Sequence, residues 1–113
     1  MFSPEQLDAA SDVLAACRDA GLMLTTAESC TGGLIAGCLT AVAGSSDVVD
    51  RGFVTYTNAA KSEMLGVPAN LIDQFGAVSE DVARAMAEGA LKSSTAQISV
   101  AVTGIVRQTS PVG

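Results

Sequence analysis

The chain has no histidine and no tryptophan, a single tyrosine, and only six basic residues against twelve acidic ones. Each shortage removes a class of chemistry. Without histidine there is no imidazole to act as general base, so a nucleophilic mechanism must draw on lysine, tyrosine, aspartate or glutamate. The net charge of -6, with no run of Lys or Arg able to follow a phosphate backbone, argues against nucleic acid as a partner. Cys17, Cys30 and Cys38 are odd in number and lack C-x-x-C spacing, which argues against a disulfide framework and, with no histidine, against a zinc site. No metal and no cofactor is expected. No stretch is long and apolar enough to span a bilayer, and Met1-Phe2-Ser3-Pro4 lacks the basic start of a secretory signal. The expectation is a cytoplasmic protein without a membrane partner.

What is present is apolar and small. Hydrophobic residues make up 49% of the 113, enough for one domain whose core packs helices and sheet closely. Ser3-Pro4-Glu5-Gln6 opens a helix with a capping residue, a proline in the first turn and a capping box. Leu7, Ala10, Leu14 and Cys17 recur at helical spacing, with Gly21 as the stop. "LMLTTA" (22–27) reads as a strand and "TGGLIAGCLTAV" (31–42) as the helix after it. Glycine inside a helix costs about 1 kcal/mol relative to alanine, so Gly32, Gly33 and Gly37 call for close packing or close approach of a ligand.

"VVDRGFVTYT" (48–57) predicts a second strand ending near Asn58, followed by a short helix closed by Gly66 and Pro68 and a helical turn closed by Gly76. Ser79 caps a further helix with Val82, Met86, Gly89 and Ala90 on one face, and with Glu80/Arg84 and Glu88/Lys92 as i,i+4 pairs. "AQISVAVTG" (96–104), nearly continuous in apolar residues, predicts a third strand buried on both faces. The alternation of elements gives an α/β fold: a three-layer α/β/α sandwich around a mixed or mostly parallel sheet, with an antiparallel edge left open for strand two.

The unusual residues gather at strand ends: Glu28-Ser29-Cys30-Thr31, Tyr56-Thr57-Asn58 through Lys61, and Thr103-Gly104. In an open α/β sheet ligands sit beyond the carboxyl ends of the strands, so parallel strands would bring these segments together. Ser29 has two readings. It is an N-cap, or it is a nucleophile beside free N–H groups at Cys30 to Gly33, where the helix dipole favours an anion. Lys61 is the candidate base, because a lysine partly desolvated beside Tyr56 loses its proton more readily. Cys30 is a second candidate nucleophile, since a thiol at a helix N-terminus is activated.

The segments "TTAESCTGGLIAGCLT", "GFVTYTNAAKSEMLGV", "GAVSEDVARAMAEGA" and "ISVAVTGI", in this order and with these separations, resemble the C-terminal domain of the competence/damage-inducible CinA family, from about residue 5 to Ile105. Stand-alone members of that family are nicotinamide-nucleotide amidohydrolases. The resemblance implies metal-independent hydrolysis of the carboxamide of nicotinamide mononucleotide to nicotinic acid mononucleotide and ammonia, with that small-molecule nucleotide as the partner. By matching position it implies Ser29 as nucleophile, Lys61 as base and Tyr56 as a hydrogen-bonding partner that positions the pair. It further implies substrate contacts from Cys30, Thr31, Gly32, Gly33, Asn58, Thr103 and Gly104, with the turn after Ser29 holding either the oxyanion or the substrate phosphate.

After Ile105 the chain departs from the family pattern, which continues with a glycine-rich loop, a further strand and a C-terminal helix, whereas this sequence reads "VRQTSPVG". The expected organisation is a CinA-like domain over 1–105, incomplete, with a divergent tail over 106–113. Met1 and the capped first helix suggest a complete N-terminus and a stand-alone protein. Loss of the last layer would leave a sheet edge open to pairing, which predicts a homodimer or higher homo-oligomer. The alternative function is a non-catalytic nucleotide-binding or oligomeric interaction module.

Overall fold

The computed structural model describes residues 1–105, so the tail 106–113 lies outside the described residues. Ser3 caps helix α1 (Pro4–Ala20) through its side chain, and Gln6 returns the bond to the Ser3 backbone, completing the expected capping box. At the other end the Leu22 N–H donates to the Cys17 carbonyl. Leu22 is thereby used to close the helix, and strand β1 (Leu24–Glu28) starts two residues later than the apolar run begins. Strand β2 (Val49–Val54) and strand β3 (Ile98–Val102) flank it in the order β2-β1-β3, both parallel to it. No antiparallel edge is present among the described residues.

Helix α2 (Leu34–Thr40) is shorter than expected. Gly32 and Gly33 stand before it at φ of 60° and 104°, left-handed values that turn the chain out of β1 before the helix starts. Only Gly37 is interior, and it faces the Phe2 ring. Helices α3 (Asn58–Leu65), α4 (Ala69–Phe75) and α5 (Glu80–Lys92) follow as anticipated, with Gly66 and Gly76 at the stops and Ser79 as a cap. The Glu80–Arg84 pair forms at 3.1 Å. The Glu88/Lys92 pair is not made among the described residues, as expected of a weak solvent-exposed attraction.

Two apolar clusters lie on opposite faces of the sheet. Ala10, Leu14 and Cys17 of α1 pack with Leu39 of α2 over Leu24 and Val48. Leu65, Ile72, Val82, Met86 and Ala90 of α3, α4 and α5 pack over Ala27. The result is an α/β/α sandwich in which alternate residues of β1 serve alternate faces. Burial follows strand position. Central β1 is buried at every residue, whereas β3 is only half-buried and its Val100 is 40% exposed. The expectation that β3 is buried on both faces is therefore corrected: it pairs on one side only among the described residues, and an apolar run does not distinguish an edge from a centre. Gly89 sets how close α5 comes to α3, since a Cβ there would fall 1.9 Å from the Leu65 carbonyl oxygen.

Candidate active site

The three strands end in register, with Glu28 opposite both Val54 and Val102. The Ser29 N–H donates to the Val102 carbonyl at 2.9 Å, and the Thr55 N–H donates to the Glu28 carbonyl at 2.8 Å. The main chain at the end of β1 is thus held from both sides. This is the carboxyl edge of a parallel sheet, where α/β folds bind ligands.

Helix α3 delivers the second group. The Thr57 side chain accepts from the Ala60 N–H at 3.0 Å and fixes the start of the helix, one turn before Lys61. Lys61 is 1% exposed, and its Nζ lies 3.1 Å from Ser29 Oγ, 3.1 Å from the Thr55 carbonyl oxygen and 3.2 Å from that of Tyr56. Among the described residues no carboxylate pairs with it. Burial pushes the Lys61 ammonium below its ordinary value, against an opposing pull from Cys30. A neutral amine has two N–H bonds and one lone pair. With the N–H bonds on the two carbonyls, the lone pair is left for the Ser29 hydroxyl.

Ser29, Cys30, Tyr56, Asn58, Lys61, Thr103 and Gly104 line one cleft of about 300 Å³, within the size range of small-molecule sites. Ala77, Val78 and Ile105 complete its wall. The sequence reading missed these three because apolar residues in a connection carry no chemical signal. Thr103 ties that wall to the sheet by donating its hydroxyl to the Ala77 carbonyl at 2.8 Å. Tyr56 meets the pair through its carbonyl; its ring is 73% exposed and its phenol makes no hydrogen bond among the described residues.

Thr31, Gly32 and Gly33 do not line the cleft. Thr31 turns its hydroxyl onto the Glu28 carboxylate at 2.6 Å, while Gly33 caps α2. Ser29 is therefore not the N-cap of α2, which begins at Leu34. The positive end of that helix is also occupied, because the N–H groups of Ile35 and Ala36 donate to Glu28 at 2.9 and 3.0 Å. Burial alone would push the Glu28 carboxyl up, but the bonds from Thr31 and from the Ala36, Ile35 and Gly33 backbone outweigh it and hold the group below its ordinary value. The donors left over are the N–H groups of Cys30 and Thr31, which have no acceptor among the described residues.

A larger groove of about 510 Å³ between α1 and α2 is lined by apolar residues with Gln6 and carries no charged side chain, so chemistry is better served by the smaller cleft. Among the described residues no three His, Cys, Asp or Glu side chains converge as a metal site, and no helix is long and apolar enough to cross a membrane.

A family model describing the CinA C-terminal domain matches residues 6–113. Nicotinamide-nucleotide amidohydrolase PncC of Enterobacter agglomerans is 53% identical over 94 residues, covering 83% of this chain and 57% of that protein. A CinA-like protein of Akkermansia muciniphila is 60% identical over 84 residues, covering 74% of this chain but 20% of the relative. The chain thus spans only part of the curated relatives it matches. The crystal structure of the competence/damage inducible protein CihA from Agrobacterium tumefaciens superposes with a TM-score of 0.90 at 54% identity, covering 100% of this chain and 67% of that one.

Proposed function

Because the chain belongs to the CinA C-terminal domain family, we propose that it is a metal-independent amidohydrolase that converts nicotinamide mononucleotide to nicotinic acid mononucleotide and ammonia. The observation that carries this reading is the buried contact of Lys61 Nζ with Ser29 Oγ at 3.1 Å. The name of the 53% identical Enterobacter agglomerans relative, a nicotinamide-nucleotide amidohydrolase, supports the choice of substrate.

In this reading neutral Lys61 takes the Ser29 proton as Ser29 Oγ bonds to the carboxamide carbon. The carbonyl π electrons move onto oxygen, and the N–H of Cys30, a cleft residue whose N–H has no acceptor among the described residues, receives that oxyanion. Such a donor contributes on the order of 3 kcal/mol in serine hydrolases. Collapse breaks the C–N bond, and the Lys61 ammonium returns its proton to the departing nitrogen, which leaves as ammonia. Water, deprotonated by Lys61, then adds to the Ser29 ester, and as the Oγ–C bond breaks the Lys61 ammonium returns that proton to Ser29 Oγ and the carboxylic acid is released. The Glu28 carboxylate already fills the end of α2, so the oxyanion is assigned to the turn and not to the helix terminus.

Locating the acyl group tests the assignment. Acid quench during turnover, followed by peptide mass analysis, is expected to find the mononucleotide acyl group on the peptide spanning Ser29 and Cys30 in both the native chain and Cys30→Ala, and to find none in Ser29→Ala. An adduct that persists in Ser29→Ala and disappears in Cys30→Ala would transfer the nucleophile's role to Cys30.

A further inference from the structure

Glu28 is fully buried in the layer between the sheet and α2, yet its carboxylate has no counter-cation among the described residues. Its charge is met by the Thr31 hydroxyl at 2.6 Å, the Ile35 N–H at 2.9 Å and the Ala36 N–H at 3.0 Å, with the Gly33 N–H as a further donor. Thr31 lies within the turn 30–33 and Ile35 and Ala36 follow it, so the carboxylate, anchored before the turn, ties it to the start of α2 like a strut. Its own backbone is fixed as well, because the Glu28 carbonyl accepts from Thr55 and the next N–H, that of Ser29, is bound to Val102.

We propose that Glu28 is the positioning residue for the nucleophile: its carboxylate locks the Cys30–Gly33 turn so that Ser29 Oγ faces Lys61 and the Cys30 N–H stays free. This rests on the reading of Ser29 as nucleophile. The chemistry favours a carboxylate over any neutral residue at this position. All of its partners are donors, and a glutamine amide would set its own N–H₂ against one of them. The two glycines at left-handed φ give the turn a shape that the backbone alone does not hold, since glycine has the widest choice of conformations. Displacement of a reacting group by about 1 Å slows a reaction roughly a hundredfold, so a strut of this kind acts on rate more than on folding.

The test follows the rate at which a fluorophosphonate labels Ser29, which needs no nicotinamide nucleotide and so reads the Glu28 inference apart from the choice of substrate. Glu28→Gln is expected to label at least roughly tenfold more slowly per folded molecule, with the pH midpoint of labelling unchanged, because Lys61 is held by the Thr55 and Tyr56 carbonyls. Thr31→Val, which removes one donor and no charge, is expected to slow labelling in the same direction, and Thr31→Ser to restore it. This pair keeps the inference testable should Glu28→Gln fail to fold. A purely structural role would lower the melting temperature while leaving the labelling rate of the folded fraction unchanged. Thr31→Val and Glu28→Gln chains that label at the native rate would overturn the inference, as would a native chain whose Ser29 labels no faster than the Ser29→Ala background.

Discussion

Lys61 Nζ lies 3.1 Å from Ser29 Oγ although the residues are 32 positions apart in sequence, one on α3 and the other at the end of β1. Both side chains are buried, and the two other acceptors of the amine are neutral carbonyls. An ammonium placed there has lost water without gaining a carboxylate partner among the described residues, which favours the free amine. In the proposed reaction this is the arrangement that proton transfer from Ser29 to Lys61 requires.

Activity is expected to rise with pH as Lys61 loses its proton, with a midpoint below the ordinary lysine value of 10.5. Cys30 opposes the effect of burial, so Cys30→Ala should move that midpoint further down. A profile of kcat/KM against pH for the two chains checks both statements.

The same group ties stability to pH. Because the folded value lies below the unfolded one, the unfolded chain holds the proton through the window between them while the folded chain does not. Stability from this group therefore rises with pH across that window, by up to about 1.4 kcal/mol per pH unit, and is lost as pH falls through the folded value. Lys61→Met should remove this slope. Denaturant titrations of both chains over the window would show it as a pH-dependent difference in unfolding free energy.

Gly89→Ala is expected to destabilise by roughly 2 kcal/mol, although alanine favours an open helix, because its Cβ would meet the Leu65 carbonyl oxygen at 1.9 Å. The strain falls on α3, which carries Lys61, so kcat should drop along with the melting temperature. Thermal unfolding and steady-state rates on one preparation check this.

Tyr56→Phe should leave the pH midpoint of activity where it is, because Lys61 bonds to the Tyr56 carbonyl and not to its phenol. A shifted midpoint would place the phenol in the proton-transfer network.

Local chemistry made much of the fold legible. Ser3 and Gln6 specify the start of α1 within four residues, and Val82, Met86, Gly89 and Ala90 mark the buried face of α5 by spacing alone. Convergence of the strand ends offers Lys61 as a base for Ser29, and family resemblance makes that pair the preferred one. What stayed hidden depends on distant partners or on main-chain atoms. Gly32 and Gly33 suit a helix or a turn, and the deciding contact is the carboxylate of Glu28, a residue the sequence marks only as one of the unusual group at the end of the first strand. An apolar strand reads alike at centre and edge, so β3 was placed too deep. The carbonyls of Thr55 and Tyr56 that hold Lys61 have no sequence signature at all.

The most direct test is ammonia release from nicotinamide mononucleotide without added metal, measured on the native chain, Ser29→Ala and Lys61→Met. The account predicts release from the native chain and a loss of at least roughly a thousandfold in both variants, whose folded state is checked in parallel. Release that persists in folded Ser29→Ala, or its absence from the folded native chain, would contradict it.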